Sequence, residues 1–164
     1  MKRNVLTLLL ILLFAAAGFA QNPTTVVLVR HAEKDAQPAD NPALNASGKA
    51  RAAALAKMLA DSGIQAIYTS QYTRTRATAE PLAAMLKLTL QQADAKESRK
   101  LAEEILSKHA GQKILVVGQS DTIPEIVQAL GGPEMPEIDE REYDNLFILT
   151  ITGSAPPSLL RLKF

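Results

Sequence analysis

At 164 residues, the chain suits one domain with one hydrophobic core, and its 47% hydrophobic and 21% charged residues are ordinary for a globular protein. It has no cysteine and only two histidines, which excludes disulfides, thiol nucleophiles, thiolate metal sites and a His-rich zinc site. A formal net charge of +1 gives no global basic field, so nucleic acid is not expected as a partner.

The first 20 residues have the pattern of a secretory signal. Lys2 and Arg3 precede an apolar stretch over residues 5–14, and small residues follow it. A membrane anchor is the alternative, but the apolar stretch is short for a membrane span. We expect cleavage before Gln21, and a mature domain over residues 21–164 that is free of the membrane and periplasmic or extracellular. Removing Lys2 and Arg3 lowers the basic count from 18 to 16 against 17 acids, so the net charge becomes −1.

The remaining chain alternates predicted strands with predicted helices. The strand over residues 24–29 is dominated by β-branched residues, which is typical of a strand buried on both faces of a parallel sheet. The other predicted strands cover residues 64–69, 88–91, 113–117, 145–152 and 159–164, the last two forming a hairpin at the sheet edge. We therefore predict an α/β fold, a three-layer α/β/α sandwich with a mostly parallel sheet.

Four helices are predicted between these strands. The first is capped by Asn45 or Ser47 and stops at Gly63. Its expected apolar face comprises Ala50, Ala53, Ala54, Met58 and Leu59. The second covers residues 70–86 and is expected to be kinked or divided at Pro81. The third, over residues 96–109, is charged and amphipathic, and the fourth is short and follows the turn at residues 118–122.

Polar residues follow three of the predicted strands. Arg30 and His31 follow the first strand, Arg74 lies soon after the second, and Gln119 and Ser120 follow the fourth. The carboxyl ends of parallel strands meet at one edge of a sheet, where α/β proteins bind ligands. Two guanidinium groups and a helix N-terminus at one point would bind an anion such as phosphate. A neutral imidazole beside them could attack phosphorus, so His31 is the candidate nucleophile.

Four ordered segments resemble the histidine phosphatase (phosphoglycerate mutase-like) superfamily, across essentially the whole mature chain. The matching segments are LVRHAEK, LNASGKARAAALA, YTSQYTRTRATAEPLA and ILVVGQSDTIPEIVQALGG. The resemblance implies a phosphoglycerate mutase-like fold, a reaction without metal or cofactor, phosphorylation of His31 during turnover, and binding of the phosphoryl group by Arg30 and Arg74.

The chain departs from the family pattern in its last motif. The resemblance implies a second histidine in the phosphate pocket, but that position is Gln119, and the usual asparagine nearby is Asp121. Gln119 can donate a hydrogen bond to phosphate but cannot carry a positive charge, and an ionised Asp121 would repel the anion. Ser120, between them, is a further candidate phosphate ligand. By analogy with losing one transition-state donor, the change costs on the order of 10²- to 10³-fold in turnover.

No residue is an obvious general acid. Asp94, Glu97 and Asp121 are the candidates, because the chain is short where larger relatives supply a glutamate. Without a proton donor, alkyl phosphates would react roughly 10²- to 10⁴-fold more slowly, whereas aryl phosphates and phosphohistidine would be less affected. The short chain also implies a shallow, open site like that of the small bacterial phosphohistidine phosphatases.

Two functional hypotheses remain open from the sequence. The first is a phosphomonoester hydrolase that acts through His31 on a phosphorylated small molecule or phosphoprotein, impaired by Gln119. The second is a phosphatase-like protein, catalytically weak or inactive, that binds phosphate or a phosphorylated ligand. The hydrolase is the leading hypothesis and the binding protein is its alternative, and the sequence leaves the oligomeric state open.

Some nearby residues have simpler structural explanations. Ser70 is positioned to cap the second helix, and Arg76 is expected on its surface. His109 ends the third helix, where a cation complements the helix dipole. Tyr143 is expected in a turn before the last two strands.

Overall fold

A computed structural model describes residues 22–153 and 155–164, and the predicted signal segment lies outside them. Six strands and four helices are present in this part of the chain. In chain order they are β1 (Thr24–Arg30), α1 (Ala46–Leu59), β2 (Ala66–Thr69), α2 (Thr73–Leu86), β3 (Leu90–Gln92), α3 (Ser98–Lys108), β4 (Lys113–Gly118), α4 (Thr122–Ala129), β5 (Asn145–Ile151) and β6 (Ser158–Lys163). None of these helices is long and apolar enough to span a membrane.

All six strands form one sheet in the order β3-β2-β4-β1-β5-β6. The first four in this order are mutually parallel, whereas β5 pairs antiparallel with β1, and β6 antiparallel with β5. The sheet is therefore mixed. The expectation of a mostly parallel sheet is correct for β3, β2, β4 and β1, but β5 and β6 add two antiparallel pairings. The predicted hairpin is confirmed, because the short connection between β5 and β6 allows only antiparallel pairing.

Helices cover both faces of the sheet, as the three-layer prediction requires. On β1, Val26 and Leu28 belong to the core cluster that includes side chains of α3 and α4. Val27 and Val29 belong to the cluster on the opposite face, with side chains of α1 and α2. All four valine and leucine side chains are at most 5% exposed, so the prediction that this strand is buried on both faces is confirmed.

Helix α1 buries a different face from the one predicted. Its N-cap is Asn45, whose side chain accepts a hydrogen bond from the Gly48 amide. The buried positions are Gly48, Ala52, Leu55, Ala56 and Leu59, whereas Ala50, Ala53, Ala54 and Met58 are exposed. The prediction was wrong because alanines occur all around this helix, so the two leucines determine which face gains most from burial.

Helix α2 begins at Thr73, three residues later than predicted, and is not divided at Pro81. Its preceding residue Tyr72 has extended backbone and is the N-cap, so Ser70 does not cap the helix. Pro81 lacks an amide hydrogen, which leaves the carbonyl group four residues earlier without its usual donor. The helix nevertheless continues to Leu86, with Leu82 and Ala83 buried in the core.

Gly48 is where helix α1 contacts the loop that follows β1. A Cβ atom at this position would overlap the main-chain carbonyl of Glu33, which already accepts a hydrogen bond from the Asn45 amide. We expect Gly48→Ala to lower the free energy of unfolding by roughly 1–3 kcal/mol, because neither main-chain segment can move freely. Chemical denaturation measures this change. Ser47→Ala, one residue earlier and exposed, is the control and should stay within about 0.5 kcal/mol of the parent. A Gly48→Ala variant as stable as this control would contradict the close packing.

Candidate active site

The parallel strands bring two of the predicted segments together at one edge of the sheet. Arg30 at the end of β1 pairs with Gly118 at the end of β4, and the His31 amide donates to the Gly118 carbonyl at 2.9 Å. His31 and Gln119 therefore follow neighbouring strand ends. Both residues are buried, at 3% and 8% exposure.

Thr78 links helix α2 to the β1 end. Its hydroxyl accepts a hydrogen bond from the Ala32 amide at 3.0 Å and donates to the Arg74 carbonyl at 2.8 Å. The hydroxyl thus fixes the main chain beside His31 relative to the helical turn that carries Arg74. Thr78 was not among the predicted site residues, although it lies inside the matching YTSQYTRTRATAEPLA segment.

The His31 ring has a defined tautomer. Its Nδ1 atom lies 2.8 Å from the Ala32 carbonyl oxygen, which can only accept a hydrogen bond. The proton therefore resides on Nδ1, and the lone pair resides on Nε2. Burial is the main cause that lowers the pKa of His31 to about 4, and the positive charges of Arg74, Arg30 and Lys34 add to it. At neutral pH the imidazole is uncharged, as a nucleophile must be.

The low pKa of His31 predicts a stability change with pH. Between about pH 6.5 and pH 4 the unfolded chain binds a proton at His31 and the folded chain does not, so stability falls as pH falls through this window. The full effect is at most about 3 kcal/mol. Urea denaturation of the parent and of His31→Gln, at pH 7 and pH 4, isolates this contribution. The parent should lose more stability than the variant, and equal losses would show that His31 titrates normally.

Arg30 is held by the long loop between α4 and β5. Its side chain is 1% exposed, and Nη1 donates to the carbonyls of Asp139 at 3.0 Å and Glu142 at 3.3 Å. Nη2 donates to the Glu140 carboxylate at 2.7 Å. The guanidinium carbon also lies 4.3 Å from the centroid of the Tyr143 ring. These contacts fix the plane of the guanidinium group before any ligand binds.

Arg74 approaches the site from the first turn of α2. Its guanidinium carbon lies 4.3 Å from the centroid of the Tyr72 ring. Burial is the main cause that lowers the pKa of Arg74, and the charge of Arg30 lowers it further, while the Glu140 and Asp121 carboxylates act in the opposite direction. Arg30, Glu140 and Asp121 therefore each lie close enough to Arg74 for their charges to affect its pKa. The exposed Arg76 lies on the solvent side of the same helix, as predicted.

The two pocket arginines each have an unused donor. The Nε atoms of Arg30 and Arg74 are buried and have no hydrogen-bond partner among the described residues. A buried N–H without a partner is costly, and native proteins rarely retain one without a ligand or a functional reason. Two such donors, both on cationic side chains, are chemically suited to bind the oxygens of an anion.

Gln119 is part of a hydrogen-bonded chain. Its Nε2 donates to the Ser70 hydroxyl at 2.7 Å, and its Oε1 accepts from the Thr122 hydroxyl at 3.0 Å. Ser70 and Thr75 share a further hydroxyl contact of 2.9 Å. One Nε2 hydrogen of Gln119 remains to donate to a ligand, since an amide nitrogen has two. The prediction that Ser70 caps α2 was wrong because this hydroxyl instead supports Gln119.

Two residues of the α4–β5 loop lie at the site and were not among the site residues predicted from the sequence. Glu140 bridges the site residues, with one carboxylate oxygen on Arg30 and the other accepting from the Ser120 hydroxyl at 2.7 Å. Tyr143 lies beside Arg30 with its ring centroid 6.1 Å from that of His31, so its role extends beyond a turn. Sheet pairing could have indicated them: β5 is antiparallel to β1, so the loop that precedes β5 lies where β1 ends.

The three proposed general acids lie in different environments. Asp121 is exposed and accepts a hydrogen bond from the Thr122 amide at 2.7 Å. Its charge acts to raise the pKa of Arg74. Asp94 and Glu97 lie in the turn between β3 and α3. Asp94 accepts from the Lys96 amide at 2.9 Å, and Glu97 pairs with Lys100 at 2.8 Å. Asp94 also lines a small cavity together with Ser70 and Gln119.

The comparisons with known proteins agree with the resemblance stated above. The model of the histidine phosphatase superfamily (branch 1) matches residues 26–97. This stretch contains His31 and Arg74 and ends before the segment that contains Gln119. No curated protein sequence matches the chain significantly.

Solved structures of several phosphatases share the fold. The protein histidine phosphatase SixA complexed with tungstate is 16% identical with a TM-score of 0.69, covering 85% of this chain and 96% of its own. A phosphohistidine phosphatase SixA from Agrobacterium tumefaciens is 20% identical with a TM-score of 0.62, over 85% of this chain and 98% of its own. A mycobacterial glucosyl-3-phosphoglycerate phosphatase is 14% identical with a TM-score of 0.67, over 87% of this chain and 99% of its own.

Proposed function

We propose that this chain is a phosphatase of the histidine phosphatase superfamily that hydrolyses phosphomonoesters through a phosphoryl group carried by His31. The observation that carries the proposal is the pair of buried, unpartnered Nε donors on Arg30 and Arg74, beside a neutral His31. Two guanidinium donors can bind the oxygens of a phosphoryl group while the imidazole approaches its phosphorus atom.

The first step forms a nitrogen–phosphorus bond. The Nε2 lone pair of His31 attacks phosphorus, the bond from phosphorus to the ester oxygen breaks, and the leaving oxygen takes a proton from solvent or a nearby acid. The Nδ1–H bond to the Ala32 carbonyl stabilises the positive charge that develops on the ring. Water then attacks the phosphohistidine, which releases phosphate and returns the neutral imidazole.

The neutral Gln119 limits the rate of this reaction. One Nε2 hydrogen can donate to a phosphoryl oxygen, but the amide adds no positive charge as a second histidine would. The alternative function, a protein that binds a phosphorylated ligand without efficient turnover, is favoured by the same residue. Its amide is already engaged with Ser70 and Thr122, which orients it as a fixed neutral donor.

Arg74→Ala tests the phosphate pocket. We expect a loss of roughly 10²- to 10³-fold in kcat/KM for p-nitrophenyl phosphate, because one charged donor to the phosphoryl group is removed. Arg76→Ala is the matched control, since Arg76 lies on the same helix and is exposed. It should retain parent activity. Equal activity in the two variants would remove Arg74 from the site and contradict the proposal.

A further inference from the structure

The Glu140 carboxylate is in direct contact with two residues of the phosphate pocket. One oxygen lies 2.7 Å from Arg30 Nη2, and the other lies 2.7 Å from the Ser120 hydroxyl. The Arg30 side chain is 1% exposed, whereas that of Glu140 is 65% exposed, so the carboxylate lies at the mouth of the pocket. An anion bound by Arg30 must therefore either contact Glu140 or displace it.

The loop backbone holds Glu140 in this place. The Ile138 amide donates to the Ser120 carbonyl at 3.0 Å, and Arg30 binds the carbonyls of Asp139 and Glu142. These bonds anchor the main chain on both sides of Glu140. These main-chain contacts place the Glu140 side chain beside Arg30 and Ser120 at the edge of the pocket.

The charges around the pocket nearly cancel. Arg30 and Arg74 are cationic side chains, Glu140 and Asp121 are carboxylates, and His31 is neutral at pH 7. The hydrogen bond from Ser120 is the main cause that lowers the pKa of Glu140, and the charge of Arg30 contributes, so the carboxylate stays ionised. The charged or titratable groups on the elements around it are Arg30 at the end of β1, His31 and Lys34 after β1, Arg74 on α2, Asp121 before α4, and Glu137, Asp139, Arg141, Glu142 and Tyr143 on its own loop.

We propose that Glu140 selects a phosphoryl group that carries one proton and a single negative charge, by accepting a hydrogen bond from the phosphoryl hydroxyl group. The inference rests on the proposed function, because it concerns the same pocket. A carboxylate can only accept, so it binds a P–OH group and repels a doubly charged anion that has no proton to offer. The two buried Nε donors bind the oxygens that carry the charge.

Inorganic phosphate and sulfate provide the test, because sulfate has the same shape but remains doubly charged and unprotonated near neutral pH. Isothermal titration at pH 6 and pH 8 measures both affinities for the full chain. The parent should bind phosphate more tightly at pH 6 than at pH 8, and should bind sulfate at least about tenfold more weakly than phosphate at pH 6. His31 remains neutral at both pH values, so its protonation does not contribute to the difference in phosphate affinity between them.

Glu140→Gln should largely abolish this selectivity, because the amide can donate to a sulfate oxygen. We expect sulfate affinity to rise about tenfold and the pH dependence of phosphate binding to flatten. Glu140→Ala tests the same loss of charge without adding a donor. Glu134→Gln is the matched control, since it removes the same charge from an exposed position of the same loop, and it should bind like the parent.

The outcomes separate this inference from the proposed function. If the parent binds phosphate and sulfate equally, or if Glu140→Gln changes neither affinity, the selection by Glu140 is overturned and the phosphate pocket stands. If neither the parent nor any variant binds phosphate, the pocket itself is overturned, and the inference with it.

Discussion

His31→Ala is expected to lower phosphate release from p-nitrophenyl phosphate by roughly 10⁴-fold or more, as removal of a catalytic nucleophile does elsewhere. The variant lacks the Nε2 lone pair that forms the covalent bond, and water must attack the bound ester directly. The oriented arginines would remain, so phosphate binding should survive in the variant. A steady-state assay of kcat, together with a titration of inorganic phosphate, measures both effects.

The chain provides a histidine control for this experiment. His109 follows α3, where its ring contacts the Tyr68 hydroxyl at 2.9 Å and the Gln112 side chain at 2.7 Å. A thermal unfolding measurement first checks that His109→Gln is folded. The variant should then have the same turnover as the parent. Turnover that survives in His31→Ala would assign the activity to another residue and exclude the proposed covalent route.

Gln119→His is expected to raise kcat on the order of 10²- to 10³-fold, because it restores a donor that can be charged when the transition state forms. The effect should be larger with Asp121→Asn, which removes a negative charge from the pocket edge. The parent and the revertants are compared with p-nitrophenyl phosphate, and a phosphate titration separates turnover from affinity.

This reversion also decides between the two functional hypotheses. An inactive parent whose revertant gains strong turnover supports the binding protein, in which catalysis has been lost. An active parent that improves as predicted supports an impaired enzyme. Gln128→His, on the exposed side of α4, is the matched control and should change neither property. A parent barely improved by the reversion would show that Gln119 does not limit the rate.

The sequence predicted the parts of the site that follow buried strands. The apolar segment before Arg30 and His31 identifies β1, and a parallel sheet then determines that Gln119 lies beside them. The fold class and the final hairpin followed from the same alternation of strands and helices. These features are predictable because burial on both faces of a sheet produces long apolar runs.

The parts that were missed depend on tertiary contacts. Glu140 and Tyr143 lie in a loop without hydrophobic periodicity, about 110 positions after Arg30. Their position depends on where β5 pairs, which local pattern does not specify. The buried face of α1 was predicted wrongly for a related reason. Alanines occur on several faces of this helix, and the packing of Leu55 and Leu59 into the core determines which face is buried.

Ser70 illustrates a competition between local and distant partners. Its hydroxyl lies near the start of α2, where serine often caps a helix. The structure gives it the Gln119 amide instead, at 2.7 Å, and the helix begins three residues later without a side-chain cap. A hydrogen bond across 49 positions of sequence could not be inferred from the residues around Ser70.

Trapping of the covalent intermediate tests the central proposal most directly. The protein is mixed with a ³²P-labelled aryl phosphate, quenched in alkali during turnover, and digested, and the labelled peptide is sequenced. The proposal predicts a label that is stable in alkali, lost in acid, located on His31, and absent from His31→Ala. Turnover without any protein-bound label, or a label on another residue, would contradict a phosphohistidine mechanism at His31.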